Sequence, residues 1–203
     1  MTVSVHIETE AGYFRLNARF SGQGIINVIG ENGSGKTFLM RCIAGLASCR
    51  SSRVLVNGRD VSQEPPDRRS IVYASQNSYF ISMTSDRHIV YVMDRAKYDS
   101  TAVEDIAEGL QIPLNRKMSQ LSQGQRMRVT IATALLSGRE VILLDEVLSN
   151  ISAGKDVLDY LRDFSKKNQV DIMIVSHGYS IPDPDLLVRM NMGTAYVESQ
   201  AHE

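Results

Sequence analysis

Gly30-Glu31-Asn32-Gly33-Ser34-Gly35-Lys36-Thr37 fits the pattern G-x-x-x-x-G-K-[ST], and what flanks it decides how the chain folds. Before it, Ile25 to Ile29 is an apolar run of strand length. After it, Phe38, Leu39, Cys42, Ile43 and Leu46 recur at helical spacing through to Gly45 and Ala47. Strand, glycine-rich turn and helix is the context in which the pattern has a physical meaning. Glycines let the loop fold back so that consecutive backbone N–H groups point inward, and the helix end adds partial positive charge, which makes a cradle for phosphate oxygens. In such a cradle Lys36 reaches the β- and γ-phosphates and the Thr37 hydroxyl holds Mg2+.

Working outward, Val3 and Val5 alternate with polar neighbours, and Phe14, Leu16, Ala18 and Phe20 do the same with Arg15, Asn17 and Arg19, the period of a half-buried strand. Val54 to Val56, Ile71 to Tyr73, Val141 to Leu144 and Ile172 to Val175 are mostly continuous apolar runs, as expected for strands covered on both faces of a mostly parallel sheet. Between Gln76 and about Gln120 the character changes. Segments around His88 to Lys97 and Thr101 to Leu110 suit helices, and no core strand is visible, so this stretch reads as a helical insertion. Helix from about Gln123 to Ser137, strand, helix around Val157 to Lys166, strand, and two short strands at Leu187 to Asn191 and Thr194 to Val197 complete the chain. The fold class is α/β with helices on both faces.

At 203 residues, 43% apolar and 22% charged, the chain has the make-up of one globular domain with an insertion, not of a coiled coil or a disordered tail. A net charge of -1 gives no broad footprint for nucleic acid or anionic lipid. No apolar run approaches the roughly 18 residues of a membrane span, and Met1 to Glu10 is polar and acidic, so the chain is expected not to cross a membrane by itself. Cys42 and Cys49 lack metal-ligand spacing and are expected as reduced thiols in a cytosolic protein.

Val141-Ile142-Leu143-Leu144 ends in the adjacent carboxylates Asp145 and Glu146. Ligands of open α/β sheets bind outside the carboxyl ends of strands, so Asp145 is placed to hold Mg2+ and Glu146 to orient and deprotonate a water in line with a γ-phosphate. Kinases, GTPases and ATPases share these features. A further segment separates them: Leu121-Ser122-Gln123-Gly124-Gln125 reads as a capping box for the helix that follows, and a helix N-terminus with a serine hydroxyl and a close-approaching glycine is also a ready anion site.

That segment resembles the LSGGQ signature of ATP-binding-cassette (ABC) ATPases. The resemblance extends to Gln76 at the end of Tyr73-Ala74-Ser75-Gln76, which is similar to the family's Q-loop, and to His177 after Ile172-Met173-Ile174-Val175-Ser176, which is similar to its switch histidine. It implies a P-loop NTPase with a RecA-like core, an N-terminal antiparallel β-lobe and a helical signature subdomain: one domain over 1–203, with 1–76 and 137–203 as core and 77–136 as subdomain. ATP and Mg2+ are the implied ligands. Lys36, Gln76, Glu146 and His177 are the implied catalytic residues; Thr37, Gln76 and Asp145 the metal-associated ones. Phosphates are expected against Asn32, Gly33, Ser34, Gly35, Lys36, Thr37 and Phe38, and, across the interface of an ATP-dependent homodimer, against Ser122, Gly124 and Gln125. An adenine platform should precede the phosphate loop. Strand parity sends Phe14 to the core and leaves Tyr13 as the residue to stack on the base.

Further implied are integral membrane permease subunits in separate chains, docking near Tyr79, Phe80, Ile81 and Met83. An extracytoplasmic binding protein belongs to the same picture, as does a peripheral location on the cytoplasmic face of the cell membrane, with no direct nucleic-acid contact. Gly12 to Asn17 with Pro65-Pro66 is similar to molybdate/tungstate-type importer ATPases, and Pro65 to Ile71 to the segment before the Q-loop strand of importers. The chain departs from the family pattern at Gln123, in place of the first glycine of the signature pair, and at Ser152, in place of the D-loop aspartate. Pro182 and Pro184 are expected to cut short the helix after His177, and the stop soon after Val197 to leave no room for a regulatory domain. The competing readings are a soluble ABC ATPase acting in protein or cofactor assembly or on nucleic acid, and a small nucleotide kinase.

Overall fold

The computed structural model describes residues 2–148, 154–177 and 180–198, with the backbone alone at Gly154 and His177. Among the described residues the chain runs β1 (Val3–Ala11), β2 (Phe14–Gly22), β3 (Ile25–Gly30), α1 (Lys36–Ala44), β4 (Ser51–Val56), β5 (Arg59–Asp60), β6 (Ile71–Ser75), α2 (Ser85–Tyr91), α3 (Thr101–Gly109), α4 (Gln123–Leu135), β7 (Val141–Asp145), α5 (Gly154–Asn168), β8 (Asp171–His177), β9 (Leu186–Asn191) and β10 (Thr194–Glu198). All ten strands join one sheet in the order β5-β4-β1-β2-β10-β9-β3-β8-β7-β6.

The continuous apolar runs are the middle of that sheet. β9, β3, β8, β7 and β6 pair in parallel, and alternate residues serve opposite faces. Val141, Leu143, Met173 and Val175 join Leu39, Met40 and Ile43 of α1 in one hydrophobic cluster. Ile142, Leu144, Ile172 and Ile174 join Val129 and Ile131 of α4 and Val157 and Leu161 of α5 in the other. Because crossover helices cover both faces, β7 is buried at every residue, which is why it reads as Val-Ile-Leu-Leu rather than as an alternation. The alternating strands β1, β2 and β4 are antiparallel and bury only one face. They meet the parallel part through β10, which shares the single register pair Thr194–Asn17 with β2.

Three expectations need correction. Cys42 and Cys49 form a disulfide, not a pair of reduced thiols. Read as running through to Ala47, α1 holds Cys42 and leaves Cys49 just beyond its end; instead it stops at Ala44, and Gly45, at φ 76°, turns the chain back so that Leu46 N–H reaches Arg41 O at 2.8 Å. That reversal brings the two Cα atoms to 6.2 Å, within bridging range. The helix expected around His88 to Lys97 begins at Ser85 and ends at Tyr91, where Asp94 N–H is taken by Leu136 O at 2.9 Å and its carboxylate accepts from Ala96 N–H. Asn27, read as part of an apolar run, is fully buried: its amide donates to Ile174 O and Ser176 Oγ, both at 3.0 Å, and its Oδ1 accepts from Ile181 N–H. One polar clamp thus fixes β3 to β8 and to the segment leading into β9.

Candidate functional site

Parallel strands that start in one layer also end in one layer. The register pairs Gly30 with His177 and Ser75 with Asp145, so the glycine-rich loop, the carboxylate pair and the end of β8 converge at the carboxyl ends of β3, β8, β7 and β6. A cavity of about 560 Å3 opens there, lined by Phe14, Asn32, Gly33, Gly35, Lys36, Thr37, Phe38, Arg41 and Glu146.

The loop holds its shape through left-handed glycines. Gly35 sits at φ 101° immediately before α1, and a Cβ on it would lie 2.5 Å from the Phe14 ring. Lys36 is buried and curls over the loop, donating to Gly30 O at 2.7 Å and Glu31 O at 2.8 Å. Burial pushes its ammonium below the usual lysine range, while Glu146 and Asp145 act in the opposite sense. Ser34 Oγ is buried with no hydrogen-bond partner, and the C-terminal hairpin supports the same residue, Gly193 N–H donating to Ser34 O at 3.0 Å.

Asp145, itself buried, accepts from Thr37 Oγ1 at 3.2 Å and from Tyr73 Oη at 2.7 Å. A hydroxyl and a carboxylate converging beside a phosphate-sized cradle fit Mg2+, which takes few protein ligands and completes its shell with phosphate and water. Glu146 follows at φ 61°, an uncommon conformation for a residue with a side chain, and Gln76 Nε2 donates to its carbonyl at 3.1 Å. This ties the end of β6 to the end of β7.

The structure therefore brings together Asn32, Gly33, Gly35, Lys36, Thr37, Phe38 and Glu146 around one cavity, with Asp145 joined through Thr37 and Gln76 through Glu146. The backbone of His177 pairs with Gly30; its side chain, and Ser152, lie outside the described residues. Tyr13 does not reach the cavity. It sits fully exposed in the β1–β2 turn, and Phe14, expected in the core, lines the cavity instead, its ring edge-on to Phe38 at 6.2 Å. Parity turns Leu16 and Ala18 into the core, but at the first residue of β2 the same face overhangs the start of α1. Arg41 and Tyr73 also escaped the sequence reading. Arg41 is one helical turn beyond Thr37, and Tyr73 one strand repeat before Ser75.

A family model described as ABC transporter matches residues 14–149. The chain belongs to the ABC transporter family. This ABC domain is 33% identical to the molybdenum import ATP-binding protein of Rhodobacter capsulatus, over 94% of this chain and 56% of that one, so it spans about half the length of that relative. It is 35% identical to the molybdate/tungstate import ATP-binding protein of Archaeoglobus fulgidus, over 87% and 77% of the two chains. Its fold matches the crystal structure of a nucleotide-free ATP-binding cassette from an ABC transporter with a TM-score of 0.80 at 23% identity, over 96% and 90% of the chains.

In this ABC domain Ser122, Gly124 and Gln125 are not among the residues that line the cavity. Ser122 caps α4, its Oγ accepting from Gln125 N–H at 3.2 Å while Gln125 Oε1 accepts from Ser122 N–H at 2.9 Å, and both Ser122 and Gln123 are exposed. Tyr79 is half-buried under the Arg126 guanidinium, 5.5 Å from the ring centroid, whereas Phe80 and Ile81 are more than half exposed and Phe80 packs edge-on to exposed Tyr91. Among the described residues no helix is long and apolar enough to cross a membrane.

Proposed function

We propose that this chain binds MgATP in the cavity at the carboxyl ends of β3 and β7, hydrolyses it in a two-copy sandwich, and so drives substrate movement through separate integral membrane subunits. The observation that carries this reading is the meeting of Lys36, Thr37, Asp145 and Glu146 around one cavity. Asn32 to Phe38 wrap the phosphates, Phe14 offers an aromatic face for the base, and Lys36 exchanges two loop carbonyls for phosphate oxygens. Thr37 and Asp145 would hold Mg2+, which when bound neutralises charge developing on the phosphates. Glu146 accepts the proton of the attacking water, oriented by Gln76, and His177 donates to the γ-phosphate.

At the start of α4 Ser122 is exposed and Gly124 and Gln125 are partly so, and there they suit the nucleotide of a second copy. Phe80, Ile81 and Tyr91 form an apolar patch for a membrane partner, with the helical stretch 77–136 as the moving subdomain. The names of the two import relatives support transport over the assembly or nucleic-acid alternative, and they favour inward carriage of an oxyanion of the molybdate class; an extracytoplasmic binding protein completes the proposal.

The test is ATP turnover by the purified chain with and without its membrane partners, recovered from gently solubilised membranes. Release of inorganic phosphate, stimulated by a co-purifying polytopic protein, is the expected result. Transfer of the γ-phosphate to a nucleoside acceptor, or recovery with soluble partners alone, would sink the reading.

A further inference from the structure

We propose that Tyr73 is a positioning residue for the metal-holding carboxylate: its hydroxyl holds Asp145 Oδ2 so that Oδ1 stays turned to Thr37. The inference rests on the MgATP site described above. β6 and β7 pair in parallel with Tyr73 opposite Leu143 and Ser75 opposite Asp145, so Tyr73 is a diagonal neighbour of Asp145, a separation that a long aromatic side chain spans. Its hydroxyl reaches Oδ2 at 2.7 Å, and the Thr37 hydroxyl reaches Oδ1 at 3.2 Å. Two donors from two different elements, one on each oxygen, fix the plane of a carboxylate that is 4% exposed. A phenol, with an ordinary pKa of about 10, keeps its proton at neutral pH and so stays a donor.

A carboxylate left to rotate would offer either oxygen, or both, to the metal shell. With Oδ2 occupied by Tyr73, only Oδ1 and the adjacent Thr37 hydroxyl face the phosphate cradle. Partners that orient a metal-holding side chain in this way are worth about 10–100-fold in metal affinity.

Tyr73→Phe keeps the ring and removes the donor. The measurement is binding of a fluorescent ATP analogue to the full chain, first in EDTA and then across a Mg2+ titration, with Mn2+ paramagnetic resonance as a direct count of bound metal. Wild-type nucleotide affinity in EDTA, together with a half-saturating Mg2+ concentration raised about tenfold or more, is the expected result. In an Asp145→Asn background, Tyr73→Phe should add nothing further. A half-saturation equal to or below that of wild type overturns the proposal, as does an equal loss of affinity with and without metal, which marks a role in folding alone. If wild type itself shows no effect of Mg2+ on nucleotide binding, the site reading falls and takes the proposal with it. Should Tyr73→Phe fail to fold, Tyr73→Met, an apolar filler of similar reach, is subject to the same comparison.

Discussion

At the start of α1 the chain is folded in on itself, with Lys36 and Ser34 buried and the lysine ammonium drawn onto carbonyls of its own loop; at the start of α4 Ser122 is exposed and exchanges hydrogen bonds with Gln125. Both are glycine-containing helix N-termini with donors to offer an anion. The first is walled by Phe14, Phe38 and Glu146 into a cavity, and the second faces solvent with its capping complete. The difference teaches which half of a phosphate site one chain can build alone. A cradle with walls is a binding site in the monomer, whereas an exposed cap becomes one only when another molecule brings the phosphate to it.

The comparison breaks if the two ends prove interchangeable. Glu146→Gln removes the proposed proton acceptor and should lower phosphate release by about 10²–10⁴-fold while ATP still binds, leaving a dimer visible by sedimentation at saturating MgATP. Adding Ser122→Arg should return that variant to monomer without loss of ATP binding; a dimer that survives would mean α4 has no part in the sandwich. Next in size, Leu143→Ala opens a hole under α1 in the fully buried strand β7 and should cost about 2–5 kcal/mol in urea unfolding, because the cradle depends on the sheet beneath it.

Smaller effects sharpen the contrast at α4. Ser122→Ala removes the cap and should cost about 1 kcal/mol of stability, with monomer ATP affinity unchanged. The smallest effect is a pH dependence. His88 on α2 is buried, with Nδ1 at 2.9 Å from Thr133 Oγ1 of α4 and Nε2 unpartnered, and burial lowers its pKa below 6.5. Below pH 6.5 the unfolded chain takes up a proton that the fold refuses. This stability is therefore intact above 6.5 and is lost as pH falls through the window down to the lowered value. Urea midpoints at pH 8 and pH 5.5 should fall less for His88→Gln than for wild type, and hydrogen exchange should loosen in α4 before α1.

Much of this was legible because burial leaves a pattern. The parallel strands announced themselves as Val-Ile-Leu-Leu and Ile-Met-Ile-Val, and the loop as glycines at spacings that only a phosphate cradle requires. What escaped notice depends on geometry that no periodicity encodes. Phe14 has the parity of a core residue, and its cavity role follows from where α1 begins relative to the start of β2. Tyr73 acts along a diagonal of two paired strands, so its partner is set by register, not by spacing. The disulfide follows from a helix ending at Ala44, three residues before the spacing alone would end it, with Arg69 donating to the Cys42 and Ile43 carbonyls at that end.

The single rung between β2 and β10 has a mechanical consequence. Phe14 belongs to the bank of the sheet that carries β1, β2 and β4, and the phosphate loop to the bank that carries β3; the Thr194–Asn17 pair and the bond from Asn17 N–H to Gly193 O, at 2.8 Å, are the stitches between them. A sheet yields first where its ladder is thinnest. The aromatic wall is thus hung like a door on a narrow seam, and its latch is side-chain packing: the Phe14 ring lies against Gly35 and edge-on to Phe38, so a swing of that bank would carry the slot for a flat base and the lip of the phosphate cradle together.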